Sequence, residues 1–297
     1  MKDILKELQR LNSSVRRLAD RFAPAVDTGV FDRFHAFRAS SENSMLTIRG
    51  ISHPDAITFS ELRGIDDVLA GLRMNTLQFL KGLPCNNVLL YGPRGTGKSS
   101  ATKALLGAYR RRGLRMIEVQ RDSLIHIMEV AELIRGRQER FIVFCDDLSF
   151  EEDEKSYRRI KTVLEGGLEV RPENMLIYAT SNRRHLMPEK TGDNLPEMVD
   201  GELQPAETVE EKLSLSDRFG LRLGMQHFDM ETFLDIISNY AALRKIRIAS
   251  GELRKHAVRW ALDHGSFSGR TARQFIDDLE GRLRLKKSSP GRRSTES

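Results

Sequence analysis

The chain has 297 residues, with 48 Lys and Arg against 42 Asp and Glu and a formal net charge of +6. Charged residues at 30% and hydrophobic ones at 39% are the composition of an ordinary soluble globular protein, and no uncharged apolar run approaches the ~18 residues of a membrane span. Cys85 and Cys145 support neither a disulfide framework nor a zinc site, and the charged start has no signal-peptide core, so the reading is a cytoplasmic protein.

Residues 1–23 read as one amphipathic helix, in which Ile4, Leu8, Leu11, Val15, Leu18 and Phe22 form a heptad seam closed by Pro24. The seam either docks on the body of the protein or pairs with another chain. Residues 24–55 show no clean period and 40–44 read as a loop; we take 1–52 as an N-terminal helical segment. From Ile57 strand-like runs alternate with helical patterns. The strands fall at 87–91, 115–119, 141–145, 175–179 and 221–228, the helices at 100–112, 123–135 and 151–168. This alternation predicts an α/β domain over 53–228, a mostly parallel sheet with helices on both faces. Residues 188–211 hold three prolines and eight acids against one base, and read as an acidic surface insertion. Three helical patterns follow at 230–243, 252–263 and 269–285, a small all-helical subdomain over 229–285. Six basic residues against one acid crowd the last sixteen positions. The tail 286–297 reads as disordered, either a solvated terminus or a tether to nucleic acid or an acidic partner.

The most specific signal is Gly92-Pro93-Arg94-Gly95-Thr96-Gly97-Lys98-Ser99, which fits G-x-x-x-x-G-K-[ST] between a strand and a helix. Its glycines let successive N–H groups turn toward a triphosphate, Lys98 reaches the β- and γ-phosphates, and Ser99 binds Mg²⁺; Ser100 opens the helix whose N-terminus faces the phosphates. The strand 141–145 ends in Asp146 and Asp147. At the carboxyl edge of a parallel sheet Asp146 can hold Mg²⁺ and Asp147 can orient or deprotonate the attacking water. The strand 175–179 runs into Thr180-Ser181-Asn182, where Asn182, with Thr180 second, is the candidate for contact with the γ-phosphate or the lytic water.

In motif order the chain resembles the AAA+ ATPases from about residue 57 to 285: phosphate loop, acid pair, Ala179-Thr180-Ser181-Asn182 as sensor 1, and Ser216-Asp217-Arg218-Phe219-Gly220 as the arginine-finger segment. The resemblance implies a P-loop fold of AAA+ type in which the helical subdomain is a lid. It implies that the segment 57–65, including Ile65, cups adenine. It implies that Arg218 reaches ATP bound to a neighbouring subunit and that Arg273, with Arg270 a close rival, is the sensor 2 arginine within its own chain. More narrowly, residues 87–92, 144–150, 178–186 and 215–220 look like a bacterial family of stand-alone AAA+ proteins whose role is not established. One departure is Asp147, where most AAA+ proteins have Glu. Replication initiators and helicase loaders share the Asp-Asp pair, so slow turnover is expected.

These readings converge on an ATP- and Mg²⁺-dependent ATPase that self-associates through its nucleotide site and remodels or loads a protein or protein–nucleic-acid partner. The alternative is a nucleotide-gated adaptor with little hydrolysis. A small-molecule kinase is disfavoured by the full βα unit between the phosphate loop and Asp146.

Overall fold

The computed structural model describes residues 27–148, 164, 171–183, 197–199, 202–204 and 216–288. The N-terminal heptad seam, all but Leu164 of the helix expected at 151–168, most of the acidic insertion and the tail from residue 289 lie outside the described residues.

Seven strands form one sheet: β1 (Ala36–Glu42), β2 (Met45–Gly50), β3 (Val88–Tyr91), β4 (Leu114–Val119), β5 (Arg140–Cys145), β6 (Met175–Ser181) and, after the separate β7 (Glu197–Val199) and β8 (Glu202–Gln204) pair, β9 (Leu221–Gly224). The order is β2-β1-β4-β5-β6-β3-β9, all parallel except the β1–β2 pairing at one edge. Helices are α1 (Val30–Arg33), α2 (Asp66–Leu80), α3 (Lys98–Tyr109), α4 (Ile127–Ile134), α5 (Met230–Leu243), α6 (Ser250–His264) and α7 (Gly269–Ser288).

The central strands are apolar because both their faces are covered, as parallel sheets require. Phe141, Val143 and Cys145 of β5 pack with α4 on one face, while Ile142 and Phe144 pack with α2 and α3 on the other. The period-2 split repeats in β6, with Ile177 and Ala179 on the first face and Leu176 and Tyr178 on the second. Each large side chain so buried contributes roughly 1.5–3 kcal/mol relative to exposure. Tyr178 keeps its hydroxyl satisfied there: Asn75 Nδ2 donates to it at 2.9 Å, and Thr76 Oγ1 lies 2.9 Å away.

The parallel sheet and the C-terminal helices follow the expected plan, with α5, α6 and α7 packing around Phe233, Ile237, Phe275 and Ile276. Three expectations are corrected. Residues 36–50 are not part of an irregular helical segment but a β-hairpin that extends the sheet beside β4. Asn43 (φ 52°) and Ser44 (φ 63°) form its two-residue turn, both left-handed, as the twist of a tight hairpin demands. The final strand stops at Gly224 rather than 228. Residues 286–288, expected to be disordered, belong to α7.

Candidate active site

Strands β3, β5 and β6 end at the same edge, because Tyr91 pairs with Ser181 and Cys145 with Ala179. The phosphate loop leaves β3 there, the acid pair leaves β5, and Asn182 follows β6 between them. Gly92 (φ 139°), Gly95 (φ 79°) and Gly97 (φ 101°) take backbone angles that side-chain-bearing residues rarely adopt. A Cβ at Gly92 would lie 2.2 Å from the Met225 carbonyl oxygen, so the strand end after β9 presses directly on the loop. Thr96 Oγ1 donates to the Pro93 carbonyl at 2.9 Å and braces the curl.

Lys98 is buried under that loop. Its Nζ donates to the carbonyls of Gly92 and Pro93, each at 2.7 Å, and to Asn182 Oδ1 at 3.1 Å. Burial pulls its pKa below that of an ordinary lysine, reinforced by Arg94 and Arg270 and opposed by the carboxylates of Asp147 and Asp146. The amide of Asn182 spans the site: its oxygen accepts from Lys98, and its nitrogen donates to Asp147 Oδ1 at 2.5 Å. Ser99 Oγ and Thr180 Oγ1 each donate to Asp146 Oδ1 at 2.6 Å, and Thr180 Oγ1 accepts from the Asp147 amide at 2.9 Å. Asp147 sits at φ 52°, a left-handed angle that Asp tolerates better than most residues. Thr180 thus fixes Asp146 from below while leaving both carboxylates exposed.

Above the loop opens a cavity of about 470 Å³. The P-loop residues 94–100, Ser100 included, form its floor, with Asp146, Asp147 and Asn182 on one side. Its apolar wall comes from Ile57, Leu62 and Ile65 below and from Phe228, Ile236 and Tyr240 at the lid. Arg270 and Arg273 both line it from α7. The lid also touches the loop backbone to backbone, the Gly269 N–H donating to the Gly95 carbonyl at 2.8 Å. Ser268 caps α7 by accepting from the Thr271 amide at 3.1 Å, and stands where a Cβ at Gly95 would fall.

Gly92 and Pro93 of the loop do not line this cavity, and neither does Arg218, the residue expected to serve a neighbour's site. Arg218 is half-buried in the turn before β9. Next to it Asp217 pairs with Arg222 at 2.5 Å, and the buried Ser216 Oγ has no hydrogen-bond partner among the described residues. Four lining residues escaped the sequence reading: Phe228, Ile236, Tyr240 and Gly269. Ile236 and Tyr240 carry the helical spacing of a core face, and the same face of α5 serves both the lid core and the cavity.

The donor set fits Mg²⁺. A hydroxyl and a carboxylate, Ser99 and Asp146, meet at the cavity floor as hard oxygen ligands, and Mg²⁺ usually completes its shell with waters and substrate phosphates. Among the described residues no group of three His, Cys, Asp or Glu could hold a metal alone.

Residues 32–283 match the family described as Protein of unknown function (DUF815). The chain belongs to that family. No curated protein sequence matches it. Among solved structures, this DUF815 chain is similar to Thermotoga maritima RuvB, the Holliday junction branch migration motor, with a TM-score of 0.53 and 17% identity. The likeness covers 78% of this chain and 66% of that one, just under two thirds of the RuvB length. Two single-residue variants of the same RuvB align at a TM-score of 0.54 and 17% identity, each over 78% of this chain and 67% of theirs. The fold is therefore that of the AAA+ ATPase class. Among the described residues no helix is long and apolar enough to cross a membrane.

Proposed function

We propose that this DUF815 protein binds Mg·ATP at the phosphate loop and hydrolyses it slowly, in an assembly where each site is completed by a neighbouring subunit. The observation that carries the reading is the amide of Asn182 held between Lys98 and Asp147. It joins the group that would neutralise the γ-phosphate to the group that would accept the proton of the attacking water. Lys98 exchanges the Gly92 and Pro93 carbonyls for phosphate oxygens. Ser99 and Asp146 hold Mg²⁺, which supplies charge neutralisation on the phosphates. Ile57, Leu62, Ile65 and Tyr240 enclose the base, and Arg270 and Arg273 bring positive charge from the lid.

Arg218, outside the cavity of its own chain, is the residue for the neighbour's γ-phosphate. The RuvB likeness supports a motor-type use of this chemistry on a protein or protein–nucleic-acid partner. A nucleotide-gated adaptor is the second reading, favoured by the Gly269–Gly95 contact, through which loop occupancy is felt by the lid.

Asp147→Asn tests the assignment. Calorimetry should find Mg·ATP affinity retained, while phosphate release drops at least 10²-fold, the scale of a lost general base. Normal release would place the base elsewhere.

A further inference from the structure

A second cavity, about 760 Å³, lies at the opposite end of α3 from the phosphate loop. The twelve residues of α3 span about 18 Å at 1.5 Å per residue. The cavity sits at the edge where β1 and β4 begin, walled by residues 33–36, by the segment 51–59 and by the second half of α3. Two arginines, Arg33 and Arg110, line it against the single carboxylate of Asp55, and the His35 and His53 imidazoles stand beside them. Arg111 and Arg112 extend the run as an exposed 3-10 turn, Arg110–Arg112.

Charge this dense is usually neutralised by neighbouring acids, and here it is not. Arg33 is paired with Asp27, but Arg110, Arg111 and Arg112 have no carboxylate in salt-bridge range among the described residues. Arg115 Nη1 donates to the carbonyls of Arg110 and Leu114, and its Nε is buried with no hydrogen-bond partner. His35 feels the cluster: burial lowers its pKa first, and Arg115 and Arg110 lower it further. Uncompensated like charge of this kind repels itself and favours a polyanionic ligand. Flat rings stand among the cations. Phe34 and Phe59 are half-buried in the wall, and the His35 and His53 imidazoles are exposed at the mouth.

We infer that this groove binds single-stranded nucleic acid, with phosphates along the Arg110–Arg112 turn and unstacked bases entering against Phe34, His35 and His53. Cations that track a backbone beside rings that accept bases are how sequence-tolerant single-strand binding is built. A duplex keeps its bases inside and has nothing to place in the recess. An acidic peptide would use the arginines but not the rings.

The test is fluorescence anisotropy of labelled oligothymidylate with the full chain over a salt series, without nucleotide. Single-strand binding follows a log–log salt slope of about −0.7 per phosphate contacted. The wild type should bind, and the triple variant Arg110→Gln, Arg111→Gln, Arg112→Gln should bind at least tenfold more weakly with a slope shallower by about 2. All three side chains are exposed, so ATP affinity and the thermal midpoint of the variant should match the wild type, which separates loss of the groove from loss of the fold. The inference is overturned if the wild type does not bind, or if the triple variant binds as well as the wild type. It is overturned in favour of the tail if Arg292→Gln with Arg293→Gln abolishes binding and the triple variant does not. It is overturned in favour of an acidic protein partner if poly-L-glutamate binds through the three arginines and oligothymidylate does not.

Discussion

Lys98 makes three hydrogen bonds, two of them to carbonyls of its own loop. Its ammonium is therefore already placed, and binding requires it to change partners rather than to find a geometry. Lys98→Ala should remove detectable ATP binding by calorimetry, since the charge facing the β- and γ-phosphates is gone. The lowered pKa gives a second expectation with a definite sign. A lysine whose folded pKa is depressed loses its proton earlier as pH rises, so ATP affinity should start to fall below the pH at which an ordinary lysine titrates. Binding near that pH should take up protons, measurable by calorimetry in buffers of differing ionisation enthalpy. The same depression makes Lys98 cost stability at neutral pH, and that cost is relieved as pH rises through its folded pKa. Cys145 carries the opposite shift, pushed up to about 12 by burial with a smaller push from Asp146, so native protein should leave it unalkylated while Cys85 reacts slowly.

The loop, the acid pair and Asn182 are legible in the sequence because each combines a distinctive residue pattern with a strand end in fixed order. Thr180 was legible only as the second choice beside Asn182. Its role lies in a hydroxyl aimed at the neighbouring strand, which spacing along one strand does not reveal. The β1–β2 hairpin went unread for a different reason. Its inward residues Phe37, Ala39, Leu46 and Ile48 do alternate with outward ones, but each run is only two residues long before Ser41 and Gly50 end it, and its turn is Asn-Ser rather than the stronger Asn-Gly. The lid wall was hidden by a helix face that is apolar for two purposes at once.

Lid and loop meet at Gly95, where a side chain would need a left-handed backbone and would strike Ser268 at 2.8 Å. Gly95→Ala should therefore lower the thermal midpoint, the left-handed angle alone costing about 1–2 kcal/mol, and should weaken ATP binding by displacing α7 from the loop. On the far side of β6, Tyr178→Phe removes a hydroxyl shared by Asn75 and Thr76. Asn75 keeps its bond to the Asn86 carbonyl and Thr76 its bond to Leu72. The loss should stay near 1 kcal/mol in chemical denaturation, with ATP binding unchanged.

In the proposed reading, the sheet edge and the lid hold the nucleotide, and the arginine that would stabilise the transferring phosphate comes from outside. Arg218 lies in the turn before β9, away from its own cavity, and an arginine provided in trans is typically worth roughly 10³ to 10⁵ in rate. A lone subunit should then be nearly inactive, and turnover per subunit should climb with protein concentration. The Lys98→Ala and Arg218→Ala chains should each be inactive when alone, the first for want of ATP and the second for want of a donor. The decisive measurement is phosphate release from Mg·ATP by an equimolar mixture of the two. In mixed assemblies an intact Lys98 site can face an intact Arg218, so the account predicts that activity partly returns and grows with total protein concentration. An inactive mixture, together with wild-type turnover that is independent of concentration, would contradict it and make Arg218 a residue of its own subunit.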